Sequence, residues 1–233
     1  MLTVDYNLLE VKPGQRVLDA GCGAGRHSFE FFRHGAELFA LDYSPEEVKK
    51  VMYSLVGASA EDKAAGGSWQ TVCGDVHNLP FESGFFDRII CSEVCEHVHE
   101  DTRVLKEFAR IMKPKGRIAI TVPTYLTEWA YGKLSPLYFT NPGGHVRKFI
   151  PRELASKLEY AGFKVYAIRF AHGYHSAWWL LRCIFGLEDA KHPISAAYQW
   201  VLVKAIYSQT MSRLEGFFNY LTPKSIIFYA WKP

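Results

Sequence analysis

A rhythm constrains this chain more than any single residue does. Over the first 122 residues, short apolar runs alternate with amphipathic stretches of helical period. That alternation predicts parallel strands joined by crossover helices, an α/β sheet. The strand-like runs are Arg16–Ala20, Glu37–Asp42, Trp69–Gly74, Asp87–Ser92 and Gly116–Val122. Between them, helices are predicted over Arg26–His34, Pro45–Val56 and Asp101–Met112. The second helix has a clear start, with Ser44 as N-cap, Pro45 in the first turn and Glu47 completing a capping box. Asp101 or Thr102 is expected to cap the third, and Lys113-Pro114-Lys115-Gly116 to stop it and turn the chain into the fifth strand.

After Pro123 the rhythm breaks. Residues 124–149 gather Tyr125, Trp129, Tyr131, Tyr138 and Phe139 among Pro136, Pro142, Gly143 and Gly144, the pattern of an ordered loop or short helices. Pro151–Ala161 reads as a helix ended by Gly162, and Lys164–Phe170 and Ser225–Trp231 as the sixth and seventh strands. Helical stretches are predicted near 176–186 and 195–215. No repeat or linker intervenes, so one domain over 1–233 is expected, with insertions at 124–149 and 171–223. Composition divides along similar lines. Residues 170–233 hold 14 of the 35 aromatic side chains and six Lys/Arg against three Asp/Glu, which accounts for the whole net charge of +3. The first 169 residues balance at 21 against 21, so a basic, aromatic segment is attached to a neutral sheet.

No charged-then-apolar leader precedes the first strand-like run. The longest apolar stretch, 178–187, is interrupted by Arg182 and is about half of what a membrane-spanning helix needs. A cytoplasmic location is therefore expected. Cys22, Cys73, Cys91, Cys95 and Cys183 are odd in number and lie mostly in apolar runs, as reduced, buried thiols do. Cys91, Cys95, His97 and His99 straddle a strand end without a paired CxxC scaffold, so no metal is expected.

The first strand runs into Asp19-Ala20-Gly21-Cys22-Gly23-Ala24-Gly25, a loop at the sheet edge where open α/β folds bind ligands. A dinucleotide fingerprint would need glycine at position 26, where Arg26 stands, and no Gly-Lys-Ser/Thr follows to make a P-loop. Asp19, ahead of the glycines, would repel a pyrophosphate and suits an ammonium, met directly or through water. Cys22 needs only to be small there. Asp42 ends the second strand, where a carboxylate can accept both hydroxyls of a ribose, and Tyr43 could pack on an adenine. Ser44 already fills the capping role that Asp42 might otherwise have. Asp75, in Gly74-Asp75-Val76 after the third strand, could accept from an exocyclic amine. Three acids at successive strand ends describe a nucleoside bearing positive charge.

The segments VLDAGCGAGRHS, ALDYSPEEV, GDVHNLPFESGFFDRIICSEVCEHV and RVLKEFARIMKPKGRIAITVP occur in that order. Together they resemble the class I S-adenosylmethionine-dependent methyltransferases of the ubiquinone/menaquinone-biosynthesis type. The resemblance covers roughly residues 15–123 and, less closely, 145–170. It implies a Rossmann-like seven-stranded sheet with helices on both faces, the last strand antiparallel, and a helical, aromatic lid from the two insertions. It implies S-adenosylmethionine as cofactor, with Asp19, Gly21 and Gly23 (Cys22 between them) at the methionine end. Asp42 and Tyr43 would meet the ribose and adenine, Asp75 and Val76 the adenine, and Ser92-Glu93 would pass beneath the methionine portion. About fifteen residues precede the first strand where relatives begin with a closing helix, so the expectation is either that the insertions supply the whole lid or that the chain is shortened at its start.

Methyl transfer from a sulfonium is a direct displacement that needs alignment and exclusion of water, and a base only where the acceptor must lose a proton. Candidates for that base are His145, next to Arg147 in a stretch that matches the family, then His172 and Tyr125, with His175 and Tyr138 nearby in sequence. The fourth strand ends in Ser92-Glu93-Val94-Cys95, not the Asn/Asp-Pro-Pro-Tyr/Phe of enzymes that methylate DNA bases, and no basic cluster tracks phosphates. A small, hydrophobic or lipid-like acceptor is expected, and no nucleic acid. Trp178, Trp179, Phe185 and Trp200 with Arg182 and Lys204 are residue types of a bilayer interface, which suggests peripheral membrane contact through 176–207. Two other functions compete: an NAD(P)-dependent oxidoreductase, disfavoured by Arg26 and Asp19, and a non-catalytic cofactor- or partner-binding protein.

Overall fold

The structure is a computed structural model that describes residues 2–61, 66–135, 144–185, 192–206 and 209–233. Its strands are β1 (Arg16–Ala20), β2 (Glu37–Asp42), β3 (Ser68–Cys73), β4 (Phe86–Ser92), β5 (Met112–Pro123), β6 (Lys164–Ala171) and β7 (Ser225–Trp231). They make one seven-stranded sheet in the order β3-β2-β1-β4-β5-β7-β6. The pairings among β1 to β5 are parallel, and β7 runs antiparallel to both of its neighbours.

Alternate side chains feed two cores, as the pleat requires. Leu18, Ile89 and Phe228 join one apolar cluster, while Val17, Ile90 and Tyr229 join the cluster on the opposite face. Helices α1 (Tyr6–Leu9), α2 (Arg26–Arg33), α3 (Pro45–Glu61) and α4 (Asp101–Ile111) accompany the parallel part. On α4 the apolar spacing puts Val104, Leu105, Phe108 and Ile111 on one buried stripe. Each such side chain contributes roughly 1.5–3 kcal/mol relative to exposure. Ser44 caps α3 as its sequence predicts, accepting from the Glu47 N–H at 3.4 Å.

Two local expectations change. Neither Asp101 nor Thr102 caps α4; Glu100 holds that position, and the buried Asp101 carboxylate instead pairs with Arg147 and with Lys157. Lys113–Gly116 does not form a separate turn, because β5 already begins at Met112. Phe86 pairs with Met112 and Arg88 with Arg117, so the extra β5 residues bulge out. Pro114, which has no N–H for the ladder, sits in that bulge.

The insertions supply α5 (Tyr125–Leu134) and, after α6 (Pro151–Tyr160) and β6, the helices α7 (Gly173–Phe185), α8 (Pro193–Ile206) and α9 (Gln209–Leu221). Tyr131 of α5 is clamped onto α7, its hydroxyl donating to the Ser176 carbonyl at 3.0 Å. The stretch predicted over 195–215 is thus two helices. Tyr138 and Phe139 lie outside the described residues. Among the described residues, no helix is long and apolar enough to cross a membrane.

Candidate functional site

The loop after β1 is held against the end of β2. Gly21 and Cys22 N–H both donate to the Leu41 carbonyl, at 2.8 and 2.9 Å. The Gly23 N–H donates to Asp42 Oδ2 at 2.9 Å, while Asp42 Oδ1 accepts from the Ser44 N–H at 2.9 Å. Gly21 has φ +73, and a Cβ there would lie 2.3 Å from Val94 Cγ2, so the loop passes too close to the end of β4 for any side chain.

Beside this loop lies a cavity of about 550 Å³ lined by Gly21, Gly23, Asp42, Tyr43, Gly74, Asp75, Val76, His77, Glu93, Val94, His97 and Val98. It therefore brings Gly21, Gly23, Asp42, Tyr43, Asp75, Val76 and Glu93 together from four strand ends. Asp19 and Cys22 are not on its wall. Asp19 is buried behind the loop, where Ser28 Oγ donates to it at 2.6 Å. Burial raises the Asp19 carboxyl from an ordinary 3.8 to about 6, against the Ser28 hydrogen bond and the Arg26 charge, which pull it down. Cys22 is buried, and burial, with the Asp19 charge, pushes its thiol well up, which leaves it uncharged. Asp75 accepts from the His77 N–H at 2.9 Å and lies 2.7 Å from His77 Nδ1; the backbone bond is the leading reason that its carboxyl is lowered.

Glu93 follows β4 with φ +57, a conformation that non-glycine residues seldom adopt. Burial pushes its carboxyl up, but the Lys224 ammonium at 3.1 Å, together with bonds from Lys224 and Thr121, outweighs that and holds it low. Glu96 behaves oppositely. It is buried, neither carboxyl oxygen has a hydrogen-bond partner among the described residues, and burial, with the Glu93 charge, lifts it well above the carboxylate range.

A second cavity, of about 530 Å³, opens at the same edge of the sheet, over β5, β7 and β6. Tyr125, Ala130, Phe170, Ala177, Leu180 and Ile226 are among its walls. It is apolar. The three predicted catalytic side chains fall into separate groupings. Tyr125 lines this cavity. His145 lies with Nδ1 2.7 Å from Glu128 Oε2 and its ring 4.8 Å from that of His97. His172 follows β6, near Thr3 and His175. Sequence reasoning missed Glu128 and Lys224. Glu128 reads from sequence only as an acid among aromatic residues, and Lys224, just ahead of the last strand, had no signal. His97 groups with Glu96 and His145, each offering one ligand atom within 4.8 Å of the others. It does not group with Cys91 and Cys95, whose Sγ atoms are 3.8 Å apart in the core.

A family profile described as a methyltransferase domain matches residues 18–120. A ubiquinone biosynthesis O-methyltransferase from Xanthomonas axonopodis pv. citri is 32% identical over 171 residues, 70% of this chain and 68% of that protein. The chain belongs to the S-adenosylmethionine-dependent methyltransferases. A second protein of the same description, from Xanthomonas oryzae pv. oryzae, is 32% identical over 64% of this methyltransferase and 62% of its own length. The chain thus spans about two thirds of these curated relatives. Among solved structures, a methyltransferase from Methanosarcina mazei superposes with a TM-score of 0.65 at 15% identity, covering 100% of this chain and 98% of its own. The [4+2]-cyclase SpnF superposes at 0.62 and 18% identity, covering 98% of this methyltransferase and 78% of its own chain. These likenesses establish the fold, and the cyclase illustrates that the fold alone does not choose a reaction.

The cofactor of this methyltransferase is S-adenosylmethionine, and the cavity beside the glycine loop fits it. Its volume lies in the range of small-ligand sites, about 300–1,000 Å³. The side-chain-free strip at Gly21 lets backbone approach a ligand, and the acids expected for ribose and adenine, Asp42 and Asp75, stand after β2 and β3, with Glu93 after β4.

Proposed function

We propose that this methyltransferase O-methylates a small apolar ring acceptor bearing a hydroxyl, of the phenol or quinol class, which enters the cavity between α5 and α7. The observation that carries this reading is the apolar cavity itself, about 530 Å³ and at the same sheet edge as the cofactor pocket. The description of the Xanthomonas relatives as O-methyltransferases supports oxygen as the acceptor atom.

In this reading Gly21, Gly23, Asp42, Tyr43, Asp75, Val76 and Glu93 hold the cofactor, with Asp19 and Cys22 fixing the loop from behind. Bound S-adenosylmethionine supplies an electrophilic sulfonium methyl. The walls between α5 and α7 hold the acceptor ring and exclude water, which favours displacement through alignment. The oxygen–methyl bond forms as the sulfur–methyl bond breaks, and the hydroxyl proton must leave. His145 takes it. Glu128 orients the imidazole through Nδ1, so Nε2 is the accepting nitrogen. His172 and Tyr125 take no proton in this scheme; Tyr125 serves as a wall.

Apolar side chains exposed on α8 and α9, including Trp200, Val203, Phe217 and Tyr220, form the face through which the protein would sit on a membrane and collect a lipid-like acceptor. Of the residues read for this contact from sequence, Phe185, Trp200 and Lys204 are exposed, whereas Trp178 and Trp179 are half-buried with the Arg182 guanidinium 5.2 and 5.4 Å from their ring centres. The whole chain acts as one domain, and nucleic acid is not its partner. The test is methyl transfer to an alkyl-substituted catechol, with Ala177→Trp used to fill the cavity. Transfer should fall through a raised KM for the catechol, with cofactor affinity unchanged.

A further inference from the structure

The second insertion gathers three groups that line neither cavity. His172 follows β6 with φ +65, His175 lies in the first turn of α7, and Glu215 projects from α9. One ligand atom from each lies within 4.8 Å of the others. The two imidazole rings are 5.3 Å apart. His175 Nδ1 and Glu215 Oε1 are buried and have no hydrogen-bond partner among the described residues. Buried polar atoms without a partner are rare in folded proteins, and a bound ion is one way in which they are satisfied.

We propose that His172, His175 and Glu215 bind a divalent transition-metal ion of the zinc and cobalt class, and so clamp α9 to the start of α7. Two imidazoles and one carboxylate are donors that such ions prefer, whereas magnesium and calcium favour all-oxygen sites. Three protein ligands leave a fourth position for water. The Thr3 hydroxyl lies 2.9 Å from His172 Nε2, a partner of the kind that orients a ligating ring. Lys224, the lysine whose charge reaches both rings, is held by Glu93 at 3.1 Å.

The site is distinct from the grouping of Glu96, His97 and His145, and the experiment separates them. The full chain, stripped with a chelator and dialysed, is titrated with Co²⁺ and followed by visible absorption, then challenged with Zn²⁺ and with Mg²⁺. The expected result is a ligand-field spectrum that Zn²⁺ abolishes and Mg²⁺ does not. His175→Asn and Glu215→Gln should each weaken Co²⁺ binding at least about tenfold, since even outer-shell partners of metal ligands cost about 10–100-fold. His97→Asn should retain that spectrum. Zn²⁺ should also raise the melting temperature of the unsubstituted chain, a reading independent of whether either variant folds. No spectrum, no rise in melting temperature, or a spectrum lost in His97→Asn and kept in Glu215→Gln would overturn the proposal.

Discussion

Glu128, buried on α5, lies 2.7 Å from His145 Nδ1, joining the two ends of the first insertion. A buried carboxylate against an imidazole fixes which nitrogen carries the proton, the arrangement of an oriented base. His145→Ala should therefore lower kcat by about 10²-fold or more, within the range for general-base catalysis. Glu128→Gln should lower it less, by about tenfold, because the amide still holds the ring but no longer stabilises the protonated form. Calorimetric titration should find cofactor affinity within twofold of the parent chain in both. Loss of cofactor binding along with turnover would make the pair a structural tie and not a catalytic one.

At Gly21, φ is +73 and an added Cβ would meet Val94 Cγ2 at 2.3 Å; at Gly23, φ is +48 and nothing lies within 4 Å. Both substitutions by alanine meet the left-handed penalty of about 1–2 kcal/mol. Only Gly21→Ala adds a collision. It should lower the melting temperature more than Gly23→Ala does, and Val94→Ala in the same chain should recover part of the difference. Equal destabilisation by the two alanines would contradict the close approach of loop and β4.

Asp19 gives a pH dependence whose sign can be worked out. Its carboxyl titrates near 3.8 unfolded and at about 6 folded, chiefly through burial, so the folded state holds the proton more tightly. The stabilisation from this group is complete below about 3.8 and is lost as pH rises through about 6. The change is about 3 kcal/mol from the shift of roughly two units. Urea unfolding of the parent and Asp19→Asn chains at pH 4, 5, 6 and 7 reads it directly. The advantage of the parent over Asp19→Asn should shrink with rising pH, and an advantage that grows would show a carboxylate stabilised by its surroundings.

The exposed apolar side chains of α8 and α9 predict binding to lipid. The Lys204 ammonium sits 3.7 Å over the exposed Trp200 ring, pairing a cation with an aromatic face as interfacial segments do. Sedimentation with anionic vesicles at low salt should bring the chain down. Trp200→Glu combined with Phe217→Glu should weaken that binding at least tenfold, and salt should weaken it in the parent. Equal retention by neutral vesicles at all salt concentrations would remove the electrostatic part of the account.

The parallel half of the sheet was legible because most of its strands are rich in apolar residues, and because α3 has a clear start signal at Ser44 and Pro45. The cavity beside the glycine loop was legible for a related reason. Asp42 and Asp75 stand at strand ends, and a parallel sheet brings successive strand ends to one edge whatever the side chains do elsewhere. Lys224 and Glu93 are 131 residues apart in sequence, and no local pattern links them. Glu128 reads from sequence as an ordinary acid in the first turn of a helix, where it would favour the dipole; its burial against His145 comes from packing across the insertion. Asp19 was placed correctly in the chain yet not on the pocket wall, because strand position fixes which edge a residue reaches and not whether the next loop covers it.

The central claim is methyl transfer from S-adenosylmethionine to the hydroxyl of an apolar ring acceptor. The most direct measurement incubates the purified chain with methyl-labelled S-adenosylmethionine and an alkyl-substituted catechol, and quantifies both products by mass spectrometry. The account predicts the O-methylated catechol and demethylated cofactor in equal amounts, with both falling together in Ala177→Trp and His145→Ala. Cofactor bound at full affinity with no labelled methyl on the catechol, or label found on carbon or nitrogen of another acceptor, would contradict it.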